Sequence, residues 1–391
     1  IRSMERNDDS LMKRMIMITS IVAALASSAA CGQQNEPPVQ GSATGFALSS
    51  FRNVNADLPK DENVVVSPYS AGVALSMLEA GAEGQTKVEI DNALNGTIFK
   101  AEDMGGDKNV IVESSNSVWI SSNFSVRNRY VDILEKEFDA FADTPDFADP
   151  STVKEINDWC SKHTAGKINE IIDRLSPDMV MVLLNALYFN APWEKAFDPD
   201  VTHEAVFHGL KGDVNVPMMS IRSTYGYAEY QGFQLIEIPY RGGRYAMYVV
   251  LPPEGTDVND AVPYLGESNY NAAMEILAPR EVALVMPKYK LETSMVLNGT
   301  LQMMGMKEAF TSMADFKGIS LSGPLQVDVI KQKCYIDVSE KGTEAAAVTS
   351  TQIRMTSFRP VTSMKIDRPF LFMIADTETK NVLFAGKIVN F

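Results

Sequence analysis

One stretch of this chain cannot contribute a large apolar side chain to an ordinary core. The range Glu340–Arg359 reads EKGTEAAAVTSTQIRMTSFR, and its part 345–351 contains only Ala, Val, Thr and Ser. The stretch has one Gly, Gly342, and no Pro before Pro360, so few of its residues favour turns. Val and Thr favour extended chain. The composition fits either an extended segment or an Ala-rich helical turn followed by a loop.

An extended conformation would separate these residues by polarity, because successive side chains of a strand point to opposite faces. One face would carry only uncharged residues, namely Thr343, Ala345, Ala347, Thr349, Thr351 and Ile353. The other face would carry all the charge, on Glu344 and Arg354, and would also contain Ala346, Val348, Ser350 and Gln352. Small side chains would let such a strand enter a preformed sheet without displacing packed neighbours. Gly342 would supply the hinge.

The amino-terminal residues predict export. Lys13 and Arg14 precede an uncharged, mostly apolar run, residues 15–30, which is shorter than the ~20 residues that span a bilayer. The run is similar to a bacterial lipoprotein signal with cleavage before Cys31, although Ser28 stands where Leu is usual. An ordinary signal peptide is the alternative.

This reading divides the chain into three parts. Residues 1–30 are expected to be removed, residues 31–43 to form a tether, and residues 44–391 to fold as one domain. The protein would then be lipid-anchored through Cys31 to a bacterial outer membrane, facing the periplasm or the cell surface, or otherwise be secreted.

Composition limits the partners and the disulfides. The formal net charge of -15 at pH 7 argues against nucleic acid and anionic membrane surfaces as partners. After Cys31 only Cys160 and Cys334 remain, so the exported domain has no disulfide framework. Both are expected to be small buried residues rather than reactive thiols.

No catalytic or metal-binding motif is apparent. The run HEAVFH at 203–208 approaches a zinc-protease motif, but its two His lie ~140° apart on a helix and on opposite faces of a strand. The chain has three His in all and no G-x-S-x-G, P-loop, G-x-G-x-x-G or C-x-x-C motif. The sequence therefore predicts that the protein is not an enzyme and that it has neither a metal site nor a cofactor.

Several segments predict elements around the opening stretch. Ser67 and Pro68 are a helix cap and a first-turn Pro before an almost uncharged, hence buried, helix. The apolar run 179–190 predicts a central strand buried on both faces, and Asn185 inside it needs hydrogen-bond partners. A long strand over 325–337 leads directly into the stretch described first.

These features together carry a family resemblance. The run Glu340–Ala347, EKGTEAAA, resembles the hinge of the reactive loop in serpins, the suicide inhibitors of serine and cysteine proteases. Ser67-Pro-x-Ser70, with the strand before it and the buried helix after it, resembles the serpin signature where the main sheet opens. Serpin-like features run in order over 46–391. The resemblance implies an α+β serpin fold with three β-sheets, about eight to nine helices and an exposed reactive-centre loop.

The resemblance also implies a mechanism in which the partner supplies the chemistry. A target protease attacks the loop and forms an acyl-enzyme, and the cleaved loop then enters the main sheet from Thr343 onward. The protease is carried along and its catalytic site is distorted before deacylation. The family spacing from the hinge Glu places the scissile bond between Thr356 and Ser357. A monomeric inhibitor is expected.

Residues around that bond indicate several protease classes. Thr356 suits elastase-like pockets, and one-residue shifts would offer Met355 or Phe358 to chymotrypsin-like enzymes. Arg354 or Arg359 would suit trypsin-like enzymes, and Met355 would also suit papain-like cysteine proteases. Alternatively, the two Arg only keep an exposed loop soluble.

The resemblance assigns two further groups of residues. Sheet opening would be controlled by Ser67, Ser70, Asn185, Trp193 and Gln332. The hinge would comprise Glu340, Gly342, Thr343, Glu344, Ala345, Ala346 and Ala347. Many serpins carry His where Gln332 stands, and an amide can make the same bonds without titrating, so sheet opening is expected to depend less on pH.

Other functions stay open at this point. A serpin-fold carrier or chaperone without inhibitory activity is the first alternative, and a surface-binding lipoprotein or secreted hydrolase is the next. Non-inhibitory serpins tend to have charged or bulky hinge residues. Thr343, Ala345 and Ala347 are small and uncharged, which favours inhibition.

Overall fold

The computed structural model describes residues 42–101, 110–230, 232–343 and 361–391. Within these ranges lie eight α-helices, as expected from the sequence: α1 Ala43–Asp57, α2 Pro68–Glu79, α3 Gly84–Ala93, α4 Asn128–Phe138, α5 Ser151–His163, α6 Val258–Ala261, α7 Glu267–Ile276 and α8 Asn298–Met303. No helix in the described ranges has the length and hydropathy needed to cross a membrane.

The same ranges contain fifteen strands, which form two sheets. They are β1 Val64–Val66, β2 Ile111–Ile120, β3 Phe141–Asp143, β4 Met181–Pro192, β5 His203–Gly209, β6 Gly212–Tyr230, β7 Phe233–Pro239, β8 Tyr245–Leu251, β9 Ala278–Pro287, β10 Tyr289–Val296, β11 Val329–Ser339, β12 Gly342–Thr343, β13 Thr362–Lys365, β14 Phe370–Asp376 and β15 Val382–Ile388.

The six-stranded sheet has the order β10-β11-β12-β4-β2-β3. Its central strands β4 and β11 are parallel and pair directly from Val182 opposite Val329 to Leu187 opposite Cys334. Towards the carboxyl-terminal ends of β4 and β11, which we call the upper end, the short β12 lies between the two strands and is antiparallel to both. We call the junction between β4 and β11 the seam.

The nine-stranded sheet has the order β1-β15-β14-β8-β7-β6-β9-β13, with β5 paired to β6. The 19-residue β6 is shared along its length, because its first part pairs with β5, its middle with β9 and its end with β7. Two of the three sheets expected from the sequence are therefore continuous through β6.

Hydrophobic side chains cover both faces of β4, which explains its unbroken apolar sequence. Leu183 and Leu187 belong to the main core, whereas Val182 and Leu184 belong to a second cluster packed against α5. Cys160 of α5 is free and buried in this second cluster, and burial raises its thiol pKa to about 12. The prediction that both thiols are buried is confirmed, since Cys160 and Cys334 are free and buried.

Tyr289 places an unsatisfied hydroxyl in this core. The Tyr289 hydroxyl has no hydrogen-bond partner within the described residues, and its ring packs near Phe370 and Phe372 at centroid distances of 6.0 and 5.9 Å. We expect Tyr289→Phe to raise the free energy of unfolding by roughly 1–3 kcal/mol, because it removes an unsatisfied buried group. Urea unfolding measures this. Tyr240→Phe is the matched control and should be destabilising, because that hydroxyl is bonded. Equal effects of both changes would contradict the explanation.

Candidate functional site

The middle of the seam is joined by two amide side chains. Gln332 of β11 and Asn185 of β4 are register partners, and Gln332 Nε2 donates to Asn185 Oδ1 at 2.8 Å. The same Nε2 donates to the carbonyl of Ser67 at 2.9 Å, and Gln332 Oε1 accepts from the Ser67 N–H at 2.9 Å. Ser67 is the N-cap of α2. One side chain therefore ties both strands of the seam to the start of α2.

Asn185 extends this network to a third strand. Its Nδ2 donates to the carbonyl of Ser70 at 2.9 Å and also contacts the Ser70 hydroxyl. It donates further to Asn116 Oδ1 at 2.5 Å, and Asn116 is its register partner on β2. Asn116 Nδ2 in turn donates to Ser114 Oγ at 3.1 Å. The sequence indicated that Asn185 needs partners but did not single out Asn116 or Ser114.

The upper end of the seam contains the first residues of the expected hinge. Thr343 lies opposite Val338 of β11 and Ala191 of β4. Gly342 beside it has a φ of +148°, and a Cβ there would lie 2.1 Å from the Ala191 carbonyl oxygen. Gly is required at this position by a close backbone approach as well as by its φ.

Aromatic side chains hold Thr343 in place. Thr343 is 0% exposed, and its Oγ1 lies 2.7 Å from the hydroxyl of Tyr240. Tyr240 stacks on Trp193 with ring centroids 4.5 Å apart, and Trp193 Nε1 donates to the carbonyl of Ser339 at 2.9 Å. Burial raises the pKa of Tyr240, so its phenol stays neutral and can donate. Sequence reasoning did not identify Tyr240.

Glu340, the first residue of the expected hinge, is bonded to two connecting segments outside the seam. Glu340 Oε2 lies 2.9 Å from Lys288 Nζ, and Glu340 Oε1 accepts from the Thr202 hydroxyl at 3.1 Å. Burial alone would raise the pKa of Glu340, but these bonds hold it below its ordinary value. The carboxylate is therefore ionised at neutral pH and fixes Glu340 to Lys288 and Thr202.

This lowered pKa makes stability depend on pH. The stabilisation by Glu340 is present above the unfolded-state pKa of ~4.3 and is lost as the pH falls through the lower folded-state value. We expect Glu340→Gln to lower the midpoint of thermal unfolding at pH 7, and the difference from wild type to shrink below pH ~4. Glu281→Gln is the control, because its partner Arg222 is exposed and the pair should contribute less. A pH-independent difference would contradict this explanation.

Sequence-predicted residues thus fall into two clusters within the described ranges. Ser67, Ser70, Asn185 and Gln332 form the network at the middle of the seam, and Trp193, Glu340, Gly342 and Thr343 lie together at its upper end. Three groups lie outside the described residues: the hinge residues Glu344, Ala345, Ala346 and Ala347, the reactive-bond residues Arg354, Met355, Thr356, Ser357, Phe358 and Arg359, and Cys31. Where the structure describes the chain, no group of three or more His, Cys, Asp or Glu could hold a metal ion.

Residues 41–391 match the family model described as Serpin (serine protease inhibitor). The chain belongs to the serpin family. A serpin-like protein of Thermococcus kodakarensis is 32% identical over 91% of this chain and 86% of its own length. The thermophilic serpin tengpin in its native state has a TM-score of 0.82 and 27% identity, covering 92% of this chain and 96% of tengpin. Human thyroxine-binding globulin complexed with thyroxine has a TM-score of 0.80 and 26% identity, covering 89% of this chain and 97% of the globulin.

The α+β serpin fold expected from the hinge sequence is therefore confirmed, and serpins are generally protease inhibitors rather than enzymes. The middle of the seam in this serpin is occupied by Gln332. Its amide makes one hydrogen bond across the seam, to Asn185, and two with the backbone of Ser67, and none of the three involves a titrating group.

Proposed function

We propose that this serpin inhibits serine endopeptidases, and papain-like cysteine endopeptidases as further targets, by trapping the acyl-enzyme. The cleaved loop enters the seam as a new strand, and the scissile bond is Thr356–Ser357. The observation that carries the proposal is the position of β12, which lies antiparallel between two parallel strands. A strand in that orientation can form a hydrogen-bond ladder with both neighbours.

The register of β12 supports insertion of the rest of the loop. Thr343 lies opposite Val338 and Ala191, and each later residue would lie one position further down both strands. On this register Thr349 would lie opposite both Gln332 and Asn185, which are themselves partners. Their mutual bond would open, and the Thr349 hydroxyl could replace it. The uncharged face of the loop would meet the buried face of the sheet.

The energetics fit this mechanism. About ten new ladder hydrogen bonds at ~1 kcal/mol each would supply on the order of ten kcal/mol. Loss of one oxyanion donor alone slows an acyl-transfer enzyme ~10²–10³-fold. Insertion can therefore distort the bound protease enough to slow deacylation, so that the covalent complex persists.

A carrier function is the second candidate, because thyroxine-binding globulin has the same fold and its structure contains a bound hormone. The small, uncharged Thr343 between the two strands favours inhibition. We also propose export and lipid attachment at Cys31, with membrane contact only through that lipid. Metabolic labelling with a radioactive fatty acid, comparing wild type with Cys31→Ala, tests the anchor.

The inhibitory mechanism is tested by covalent trapping. The purified domain from Gly32 onward is mixed with an elastase, a chymotrypsin, a trypsin and a papain-like enzyme and run on a denaturing gel. We expect a band at the summed mass that resists SDS and heat, and a released fragment that begins at Ser357. If every protease cleaves the loop and stays active, the inhibitor proposal is overturned and the carrier proposal replaces it.

Inhibition should also be insensitive to pH between 5 and 8, because no group in the middle network titrates there. We expect a constant stoichiometry of inhibition for wild type and a step near pH 6–7 for Gln332→His, whose imidazole would titrate. The measurement uses one protease, corrected for its own pH profile. A step in the wild type would contradict the prediction.

A further inference from the structure

The lower end of the seam is closed by an acidic side chain. The backbone N–H of Asp328, just before β11, donates to the carbonyl of Met181 at 2.9 Å. The Asp328 carboxylate accepts from the N–H of Met181 at 3.0 Å and from the N–H of Val180. Met181 is the first residue of β4. One residue therefore binds the beginning of β11 to the beginning of β4 through three hydrogen bonds.

Asp328 is also held on its own side of the seam. Asn298, the first residue of α8, donates from Nδ2 to the Asp328 carbonyl at 2.8 Å. Asn298 Oδ1 accepts from the N–H of Ile330 at 2.9 Å. These two bonds fix the start of β11 to α8. If the two strands separate, Asp328 can therefore move with β4 only by breaking contacts with α8.

The bonds of Asp328 differ in kind from those at the middle of the seam. Gln332 and Asn185 are neutral amides, whereas an ionised carboxylate forms hydrogen bonds roughly twice as strong as neutral groups do. Seam separation at Asp328 would leave the N–H groups of Val180 and Met181 without that acceptor. The lower end is therefore expected to resist opening more than the middle.

The strand register determines how far an inserted strand must extend before it reaches the Asp328 contact. Continuing from Thr343, a strand that extends to Gln352 would lie opposite Val329 and Val182, the lowest direct pair of the seam. The next residue, Ile353, would lie between Asp328 and Met181. These two residues would then have to be about two strand spacings apart, or ~9.5 Å. Partial insertion would leave the Asp328 bonds intact, and complete insertion would break them.

We propose that Asp328 is a latch that holds the lower end of the seam closed and limits the rate of complete strand insertion. This inference rests on the proposed inhibitory mechanism. The latch and the amide network would divide insertion into two stages, an upper stage opposed by neutral bonds and a lower stage opposed by a carboxylate.

The test uses a synthetic peptide of residues 344–356 as the inserted strand and the intact protein as acceptor, because the protein's own Thr343 already lies between the two strands. Uptake is followed by native gel and by the rise in the midpoint of thermal unfolding. We expect Asp328→Ala to take up the peptide about 10-fold faster than wild type, with Asp328→Asn between them. Asp337→Asn is the matched control and should match wild type within about 2-fold, because Asp337 on the same strand pairs with Lys290 of β10, away from the seam.

Hydrogen exchange supplies a second readout that a general loss of stability would not reproduce. The Val180 and Met181 amides should exchange faster in Asp328→Asn, while the amide of Ser67, bonded at the middle of the seam, should not change. If wild type takes up the peptide and both Asp328 variants match its rate, the latch is overturned and the inhibitory mechanism stands. If wild type takes up no peptide, the insertion mechanism itself is overturned. Asp328→Asn decides the test if Asp328→Ala does not fold.

Discussion

Thr343→Arg should convert the protein from an inhibitor into a substrate. Thr343 is 0% exposed between β4 and β11, and its hydroxyl is bonded to Tyr240. Thr343→Arg would place a guanidinium in this buried position, and burying an unpaired charge is prohibitive compared with burying a hydroxyl. On a denaturing gel the covalent complex should fall by at least about tenfold, with cleaved protein and active protease in its place.

Two variants make this result specific. Thr343→Ser keeps the hydroxyl and should keep inhibition. Glu344→Arg places the same charge on the next residue, which would point to the opposite face of an inserted strand, and should also inhibit. The protein would not insert its loop as proposed if Thr343→Arg trapped protease as well as wild type does.

Asn185→Ala should produce the largest loss of stability among single substitutions in the seam. It would leave the Ser70 carbonyl, Asn116 Oδ1 and Gln332 Nε2 each without one buried partner. Each unsatisfied buried group costs about 1–3 kcal/mol, so the free energy of unfolding should fall by about 3 kcal/mol or more. Urea unfolding followed by tryptophan fluorescence measures the change.

Asn190→Ala is the control for this prediction. Asn190 lies on the same strand, is less buried, and its amide donates to the Tyr188 hydroxyl at 2.9 Å. We expect a loss of about 1 kcal/mol or less for this change. Similar losses for both variants would show that the three-strand network does not carry the stability assigned to it. Faster spontaneous loss of inhibitory activity on warming should accompany the Asn185 change, because the proposed mechanism requires the seam to open at that position.

Local chemistry determined the elements that surround the seam. The cap at Ser67 and an uncharged run predict α2, and the structure buries that helix on all sides. The apolar run predicts β4, whose two faces pack against different clusters. The small residues after Glu340 predict a segment suited to insertion. Each of these inferences needs only neighbours in sequence, since caps and alternation are local properties.

Boundaries show where local pattern stops being sufficient. The predicted strand over 325–337 begins in the structure only at Val329 and continues to Ser339. Leu325 and Val327 are buried and alternate as in a strand, but the N–H of Val327 donates to the carbonyl of Ala309 outside the sheet. Burial alternates both in residues 325–327 and in β11. Backbone pairing, however, depends on which segment of the chain lies alongside.

Only the tertiary structure brought together the groups that act across the seam. Asn116 bonds Asn185 across 69 positions, and Tyr240 bonds Thr343 across 103. The Asp328 carboxylate reaches β4 across 147 positions. Gly342 was expected to be a flexible hinge, and the structure adds a carbonyl so close that no Cβ fits. A sequence specifies which side chains can hydrogen-bond, but strand order and register decide which of them meet, because those partners lie on strands far apart in the chain.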